Sequence, residues 1–314
     1  MIRSRKKRLV LLFFADALLL GVFLCVFALF HHVLPKSYGN RYGTTLSPDR
    51  AADWSEKFPG RFTTDGSVVQ SDGFYMDGDI NLTLTTHAEN GVIYHVADFY
   101  IRSITVLRTA FVGEEFATGV AASTLDLSRE NNALLGVSGD YFGIRQRGIV
   151  IRNGEVYRKT KAHQICVLYY DGTMETYSYA SFDVEKAIAA GAWQAWDFGP
   201  ALLDENGCAI TEFNTGISGE NPRMGIGYFE EGHYCLVAID GRQSTSRGMT
   251  LSEMAALFES LGCKRAYNLD GGNSAVMTYQ GEIYSSPSKK GGRDISDIIY
   301  LAAPGYSYQG KEDQ

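Results

Sequence analysis

Residues 223–274, RMGIGYFEEGHYCLVAIDGRQSTSRGMTLSEMAALFESLGCKRAYNLDGGNS, hold the pattern that decides the fold. Two apolar segments, 224–229 and 234–239, flank a Glu-Glu-Gly turn and predict a pair of strands. A capping box at residues 250–253 then opens a helix, because apolar residues recur after it at helical spacing. A third strand is predicted directly after this helix, at 265–269.

A strand–helix–strand unit of this length usually forms a parallel crossover, in which both strands run in the same direction. Asp240 follows the first strand of the unit and Asp270 follows the second, and a glycine comes after each of them. We therefore expect both carboxylates at the carboxyl edge of the sheet. That edge is where open α/β sheets bind their ligands.

The rest of the chain beyond the N-terminus carries shorter strand and turn signals. Strands are predicted at 80–84 and 92–102, and a helix at 123–132 leads into an apolar strand that ends before Asp140. Two hairpins with Asn-Gly and Asp-Gly turns follow. Together these patterns predict one α+β domain over residues 61–303, with a mixed β-sheet core, flanking helices and a parallel βαβ crossover, preceded by one transmembrane helix.

The N-terminus carries a membrane signal. Residues 1–8 are strongly basic, and residues 9–30 are apolar apart from Asp16. As a helix this apolar run would measure about 33 Å, enough to cross a bilayer. The positive-inside rule keeps the basic segment in the cytoplasm, which predicts a single-pass cell-membrane protein with an extracellular C-terminal domain. A cleaved signal peptide is the alternative, although its apolar stretch is usually shorter.

Two further segments complete the predicted organisation. Residues 31–60 lack clear periodicity and are interpreted as a stalk, and residues 304–314 as a frayed polar tail. Asp16 is interpreted as a protonated or helix-paired carboxyl within the span rather than as a functional group.

Composition limits the partners and cofactors. The 314 residues carry a formal net charge of −7 without a basic stripe, which argues against nucleic-acid binding. Cys166 and Cys235 lie in apolar strand segments, where a buried free thiol is the ordinary state. With Cys208 and Cys263 they could also form two disulfides in three connectivities. No CxxC pair occurs, so we predict no metal site and no cofactor.

Acidic and basic residues beside turns are the candidates for chemistry. The acids are Asp140, Asp240 and Asp270, and paired carboxylates at strand ends suit cleavage of a glycosidic bond. Arginines beside turns suit a phosphate or carboxylate on the substrate. They are Arg223, Arg242, Arg247 and Arg293. Each Asp-Gly pair could instead be a simple turn, and Arg247 could simply pair with acids.

Other chemistries have less support. Ser246 and Ser274 have no GxSxG elbow and no histidine placed near them, which disfavours a serine hydrolase. Residues 270–274 could bind calcium but lack the spaced acids of an EF-hand loop. Glu253 is better explained by its capping box than by catalysis. The histidines lack metal spacing and are interpreted as structural: His87, His95, His163 and His233.

Six motifs occur in order over roughly residues 90–303. They are Ser138-Gly139-Asp140-Tyr141-Phe142, Asn221-Pro222-Arg223, Asp240-Gly241-Arg242, residues 246–253, Asn268-Leu269-Asp270-Gly271-Gly272-Asn273-Ser274, and Gly292-Arg293. Each alone is weak, but the ordered set resembles the phosphodiester glycosidase family. The resemblance implies an α+β fold with a mixed sheet. It also implies hydrolysis of a sugar-1-phosphodiester at the glycosidic bond.

The resemblance implies catalytic roles for Asp140, Asp240 and Asp270. It implies substrate binding by a second set: Arg223, Arg242, Asn268, Gly271, Gly272, Asn273, Ser274 and Arg293. Asp240 or Asp270 is expected to act as nucleophile or base, with Asp140 as an orienting acid. The arginines are expected to stabilise the departing phosphate. Asn273 stands where the family has a third glycine.

The combined expectation is a membrane-anchored extracytoplasmic hydrolase that acts on sugar-1-phosphodiesters in envelope or exopolysaccharide glycans. Its partners would be the glycan phosphodiester and, through residues 9–30, the membrane. A non-catalytic glycan-binding or polysaccharide-assembly factor on the same fold is the first alternative. A structural envelope protein that uses its aromatic surface to capture partners is the second.

Overall fold

The computed structural model describes residues 2–30, 36–37, 42–45 and 51–308. Its helices are α1 (Ile2–Ala28), α2 (Thr124–Glu130), α3 (Val184–Ala189) and α4 (Leu251–Ser260). Its strands up to residue 118 are β1 (Lys36–Ser37), β2 (Val69–Ser71), β3 (Phe74–Met76), β4 (Ile80–Glu89), β5 (Val92–Ile101), β6 (Leu107–Phe111) and β7 (Ala117–Thr118).

The later strands form the remainder of the domain. They are β8 (Leu135–Ser138), β9 (Val150–Arg152), β10 (Glu155–Arg158), β11 (Ile165–Tyr169), β12 (Met174–Tyr177), β13 (Ala192–Trp196), β14 (Arg223–Glu230), β15 (His233–Ile239), β16 (Arg265–Asn268), β17 (Met277–Tyr279), β18 (Glu282–Ile283) and β19 (Asp297–Leu301). Helices and short strands in this mixture confirm the predicted α+β class.

Helix α1 is separate from the hydrophobic core. Its segment Leu11–Ala28 is long and apolar enough to cross a membrane, and none of it is buried against the rest of the protein. A signal sequence near an N-terminus would have the same length and composition. The structure therefore agrees with a helical apolar segment here, and both the membrane anchoring and its direction stay predictions.

The largest sheet has seven strands in the order β16-β14-β15-β5-β4-β3-β2. β14 pairs antiparallel with β15 on one side and with β16 on the other. Because β15 and β16 both run opposite to β14, they point in the same direction. The predicted common edge for the ends of these two strands is thus confirmed.

The predicted parallel βαβ crossover is confirmed, because β15 and β16 run in the same direction. Only the mixed character of the sheet differs from the prediction, since neighbouring strands pair antiparallel throughout the described residues. The hairpin with β14 occupies one edge of β15, and β5 occupies its other edge. The chain leaving β15 must therefore pass through α4 and pair with β14 instead. The β15–α4–β16 crossover therefore connects two strands that have β14 between them.

Helix α4 begins as the sequence predicts. The Thr250 side chain accepts from the backbone of Glu253, and the Glu253 carboxylate accepts from the backbone of Thr250. The helix buries its apolar face against β14, where Gly227 provides the room. A Cβ on Gly227 would lie 2.6 Å from the sulfur of Cys263 and 2.7 Å from that of Cys235.

The five cysteines are free thiols, and Cys166 and Cys235 are buried as predicted. The sulfurs of Cys235 and Cys263 lie 3.7 Å apart beneath α4. No disulfide is present in the part of the chain that the structure describes.

The domain begins earlier than predicted. The expected stalk, residues 31–60, is only partly described, but its last ten residues belong to the fold. Trp54 and Phe58 are buried in the main hydrophobic core, where Gly172 and Gly232 leave space for the Trp54 ring. An aromatic pair without periodic neighbours gave no strand or helix signal, so its burial could not be read from the sequence.

The expected tail, residues 304–314, is described up to residue 308. Tyr306 packs against the main core, and the guanidinium of Arg129 lies 5.2 Å from the ring centre of Tyr308. These contacts correct the expectation of a frayed end for residues 304–308. The rest of the predicted tail lies outside the described residues.

Two five-stranded sheets, β10-β9-β13-β11-β12 and β18-β17-β8-β19-β6, complete the domain. A buried ion network joins them. Arg152 on β9 donates to Asp140 after β8, with Nη2 2.8 Å from Oδ1, and to Asp297 on β19, with Nε 2.9 Å from Oδ2. All three side chains are about 1% exposed. Gly139 is required here, since a Cβ would lie 2.6 Å from the Asp297 carboxyl carbon.

This network contains two carboxyls and one guanidinium, so one carboxyl is uncompensated. Burial raises the pKa of Asp297 to about 7. The positive charge of Arg152 opposes this rise in part, and the negative charge of Asp140 adds to it. The folded state then binds more protons than the unfolded chain between the ordinary value of 3.8 and this raised value. The contribution of Asp297 to stability is therefore greatest at low pH and is lost as the pH rises.

Asp297→Asn tests this linkage. In the parent, Asp297 makes the free energy of unfolding fall as the pH rises, by at most about 1.4 kcal/mol per pH unit. The variant should lack this part of the fall when both chains are measured by denaturant titration at several pH values. The exposed neighbour Asp294, replaced by Asn, is the control and should follow the parent chain. Parallel pH profiles for the parent and the Asp297→Asn variant would contradict the assignment.

Candidate active site

A cavity of about 470 Å³ opens where β15 and β16 end and β14 begins. We call it the arginine cavity. Its lining is Tyr141, Arg145, Phe198, Gly216, Ile217, Asn221, Pro222, Arg223, Arg242, Asn268, Leu269, Asp270, Gly271, Gly272, Asn273 and Arg293. Four arginines and one aspartate line it, which makes the cavity electropositive.

Most residues that the sequence proposed for substrate binding meet in this cavity. They are Arg223, Arg242, Asn268, Gly271, Gly272, Asn273 and Arg293. Ser274 lies behind the wall rather than in it, buried, with its hydroxyl accepting from Nε of Arg293 at 2.9 Å. It therefore contacts the site through Arg293.

Asp270 is the carboxylate of the arginine cavity. It follows β16 and is 6% exposed, and its Oδ2 accepts from Nη2 of Arg293 at 2.7 Å. Burial raises the pKa of Asp270 above its ordinary value, while the positive charge of Arg293 and a hydrogen bond from Ser274 oppose the rise. A carboxyl with a raised pKa beside a cavity is a stronger proton acceptor than an ordinary aspartate, which suits a general base.

Arg223 begins β14 and is only 3% exposed. It donates to three backbone carbonyls: from Nε to Met249 at 3.0 Å, and from Nη2 to Ile217 at 2.6 Å and to Gly219. No carboxylate of the described chain lies within ion-pair distance of it. Burial, together with the positive charge of Arg242, lowers the pKa of Arg223 to about 10. Its charge is therefore held in place without a counter-ion.

Arg242 adds a second unpaired guanidinium on the exposed side of the cavity. Its Nη1 donates to Oδ1 of Asn273 at 3.1 Å and its Nη2 to Oδ1 of Asn221 at 2.7 Å. Two neutral amides orient it, and no carboxylate in the described residues pairs with it. Gly272 beside the guanidinium has a φ of +60°, a left-handed backbone conformation that favours glycine.

Asn268 supplies a free acceptor. It is 1% exposed and lines the cavity, and its Nδ2 donates to the carbonyl of Gly199 at 2.8 Å. Its Oδ1 has no hydrogen-bond partner among the described residues. A buried unsatisfied oxygen costs about 1–3 kcal/mol, so this atom is poised for a donor supplied by a ligand.

Two of the three predicted catalytic acids are not in the cavity. The Asp140 carboxylate is held by Arg152 and by the backbone N–H of Asp197, at 2.8 and 3.0 Å. The Asp240 carboxylate lies 3.1 Å from Nε2 of His95 and accepts from the backbone of Ser286 at 2.9 Å. The structure therefore does not bring these two carboxylates into the cavity, and their catalytic roles stay a prediction.

The backbones of these acids do converge as expected. The N–H of Asp270 donates to the carbonyl of Gly139 at 3.1 Å, which brings the ends of β8 and β16 together. Beyond a strand end the side-chain direction depends on local torsion angles, so a common edge does not give a common orientation. Asp270 faces the cavity, whereas Asp140 and Asp240 face buried partners on other strands.

Several cavity residues were not identified from the sequence. Arg145 directly follows a short 3₁₀ turn, Phe142–Ile144, and Tyr141 precedes that turn with a left-handed φ of 67°. Tyr141 and Asn221 belong to recognised motifs, whereas Arg145 and Phe198 carried no separate pattern signal. Arg247 forms ion pairs with Glu220 and Glu253, as the alternative interpretation proposed. The described residues contain no His, Cys, Asp or Glu group that could hold a metal ion.

The fold has a solved counterpart. The zebrafish N-acetylglucosamine-1-phosphodiester alpha-N-acetylglucosaminidase catalytic domain, auto-inhibited by its pro-peptide, superposes with a TM-score of 0.58. The match covers 81% of this chain and 87% of that chain at 18% identity, which establishes a common fold. The family model described as phosphodiester glycosidase matches residues 131–302, more than half of the chain. This protein belongs to the phosphodiester glycosidase family.

Curated relatives are longer than the matched region. A SPbeta prophage-derived uncharacterized protein, YomE of Bacillus subtilis, is 27% identical over 200 residues, which are 60% of this chain and 31% of that protein. The Bos taurus N-acetylglucosamine-1-phosphodiester alpha-N-acetylglucosaminidase is 36% identical over 76 residues, 24% of this chain and 14% of that protein. The chain thus spans about a third or less of these relatives.

The unpaired guanidinium groups predict an anion site. Inorganic phosphate, titrated by calorimetry into the full chain in detergent, should bind, and Arg242→Gln should weaken binding about tenfold through loss of a charge-assisted contact. Arg242 is exposed, so its replacement leaves the core intact. Arg61→Gln removes an exposed arginine that lies over Tyr100, outside the cavity, and serves as the control. Equal affinities for all three chains would exclude the site.

Proposed function

We propose that this protein is a membrane-anchored extracytoplasmic hydrolase that cleaves the glycosidic bond of sugar-1-phosphodiesters in envelope or exopolysaccharide glycans. The observation that carries the proposal is the charge of the arginine cavity, in which four arginines face a single carboxylate. Membership of the phosphodiester glycosidase family supports the reaction type.

The phosphate is the group that the cavity is built to hold. Arg223 and Arg242 have no carboxylate partner in the described chain, and their backbone and amide contacts orient their guanidinium groups. A guanidinium offers parallel N–H donors that match two oxygens of a phosphate. A phosphodiester anion would therefore bind with its charge against this pair.

A phosphate leaving group reduces the need for a general acid in the active site. When the bond between the anomeric carbon and the phosphate oxygen breaks, the electron pair stays on a phosphate whose conjugate acid has a pKa of about 6. An ordinary sugar alkoxide would need protonation by a second carboxyl. Arginines stabilise the developing phosphate charge instead, so one carboxylate in the cavity is sufficient.

Asp270 is assigned as the base. It removes a proton from the water that attacks the anomeric carbon, so the products are the free sugar and a phosphate monoester. Its raised pKa fits proton acceptance. Asn268 is placed to accept a hydrogen bond from a sugar hydroxyl, because its Oδ1 has no partner within the described chain.

The N-terminal segment supports the proposed location. Helix α1 has the length and composition of a membrane span, and the basic residues before its apolar part favour a cytoplasmic N-terminus. The catalytic domain would then face the envelope and its glycans.

Asp270→Asn tests the catalytic assignment. The full chain in detergent is incubated with N-acetylglucosamine-1-phosphodiesters, the class named for the bovine relative, and with a panel of other sugar-1-phosphodiesters, and released sugar is measured. The variant should lose activity by at least about a hundredfold, as expected for removal of a general base. Asp72→Asn, at an exposed turn outside the cavity, should keep parental activity. Unchanged hydrolysis by the folded Asp270→Asn chain would refute the role.

The acid side of the pH–rate profile gives an independent check. Asp270 must be ionised to act as a base, so kcat/KM should fall as the pH drops through its raised pKa, above the ordinary value of 3.8. Arg293 opposes that rise, so Arg293→Gln should move the acid limb to higher pH. A limb that stays at the parental pH in Arg293→Gln would show that another group titrates.

A further inference from the structure

A second cavity of about 550 Å³ adjoins the arginine cavity. We call it the loop cavity, because ten of its thirteen lining residues come from the segment between β13 and β14. Its lining is Arg145, His163, Gln164, Phe198, Gly199, Pro200, Ala201, Ile210, Glu212, Phe213, Asn214, Thr215 and Ile217. Arg145, Phe198 and Ile217 belong to both cavities, so these three side chains form the boundary.

We propose that the loop cavity binds the aglycone of the substrate, the group on the far side of the phosphate from the sugar. The aglycone class that it fits is uncharged and presents a flat apolar face. This inference rests on the proposed function, since it assigns the second substituent of the same phosphodiester.

Arg145 lies at the boundary between the two cavities. Its Nη1 donates to the carbonyl of Asp197 at 3.1 Å, and its guanidinium lies 4.9 Å from the ring centre of Phe198 and 5.5 Å from that of Tyr141. No carboxylate in the described ranges forms an ion pair with it. A phosphodiester carries its charge between two substituents. A phosphate beside Arg145 would therefore direct one substituent into each cavity.

The position of Asp270 decides which substituent lies on which side. Asp270 lines the arginine cavity only, so the anomeric carbon that it serves must lie there. The sugar therefore occupies the arginine cavity, where Asn268 offers its free Oδ1. The loop cavity remains for the aglycone.

The lining of the loop cavity defines the chemical class. Phe198 and Phe213 are aromatic, and Ile210, Pro200 and Ile217 add apolar surface. Aromatic walls favour a flat apolar face, either an aryl ring or the C–H face of a sugar ring. Glu212 lies on the same wall and would repel an anionic aglycone.

The loop is tied directly to the phosphate-binding machinery. Nη2 of Arg223 donates to the carbonyl of Ile217, the last lining residue of the loop cavity along the chain, and to that of Gly219 two residues later. The same guanidinium thus faces the proposed phosphate position and holds the end of the segment that shapes the loop cavity. This contact makes both cavities parts of one binding site.

The test compares two N-acetylglucosamine-1-phosphodiesters that differ only in a methyl or a benzyl aglycone. Dissociation constants and kcat/KM are measured for the full chain in detergent. The parent should favour the benzyl diester about tenfold, because its ring is removed from water. Phe213→Ala should remove most of this preference and leave the methyl diester unaffected. Phe229→Ala is the matched control, since both phenylalanines are partly buried against the same core cluster and Phe229 lines neither cavity.

The outcomes separate this inference from the proposed function. Loss of the benzyl preference in Phe213→Ala alone supports the aglycone site. If that loss is seen in binding while no chain turns over either diester, the aglycone site stands and the hydrolase assignment fails. A parental benzyl-to-methyl ratio in Phe213→Ala, an equal loss in Phe229→Ala, or no binding of either diester overturns the inference.

Discussion

Burial of the Arg223 guanidinium without a carboxylate is the constraint on which the site depends. Moving a charge out of water is costly unless other groups replace its hydration. Three backbone carbonyls, from Ile217, Gly219 and Met249, supply part of that replacement. They accept from Nε and Nη2 but do not cancel the charge, so a net positive field remains in the arginine cavity. An anionic ligand completes the electrostatics that the fold leaves open.

The surrounding backbone is arranged to keep this charge accessible. The turn after β16 passes directly beneath the start of β14, where the N–H of Gly272 donates to the carbonyl of Pro222 at 2.8 Å. Gly271 permits that approach, because a Cβ would lie 2.7 Å from the same carbonyl oxygen. Asp270, which directly precedes Gly271, thereby becomes part of the cavity lining. The glycines of the motif thus serve close packing of two chain segments beside the cavity.

Local sequence patterns predicted the secondary-structure elements well. They could not predict contacts between residues that are far apart in the chain. The hairpin of β14 and β15, the capping box of α4 and the strand before Asp270 follow from periodicity and turn chemistry. The direction of the Asp140 side chain depends on Arg152, which no local pattern connects to it. Arg145 and the loop cavity lie in irregular segments, whose position is set by tertiary contacts. Seven of the eight proposed binding residues meet in one cavity because glycine-bounded turns place them at one sheet edge.

The most direct test of the account is a crystal structure of the Asp270→Asn chain with an intact, slowly hydrolysed sugar-1-phosphodiester. We expect phosphate oxygens within hydrogen-bond distance of the Arg223 and Arg242 guanidinium groups, with the anomeric carbon facing the side chain at position 270. A diester bound with its phosphate away from both arginines, or with its anomeric carbon outside the arginine cavity, would contradict it.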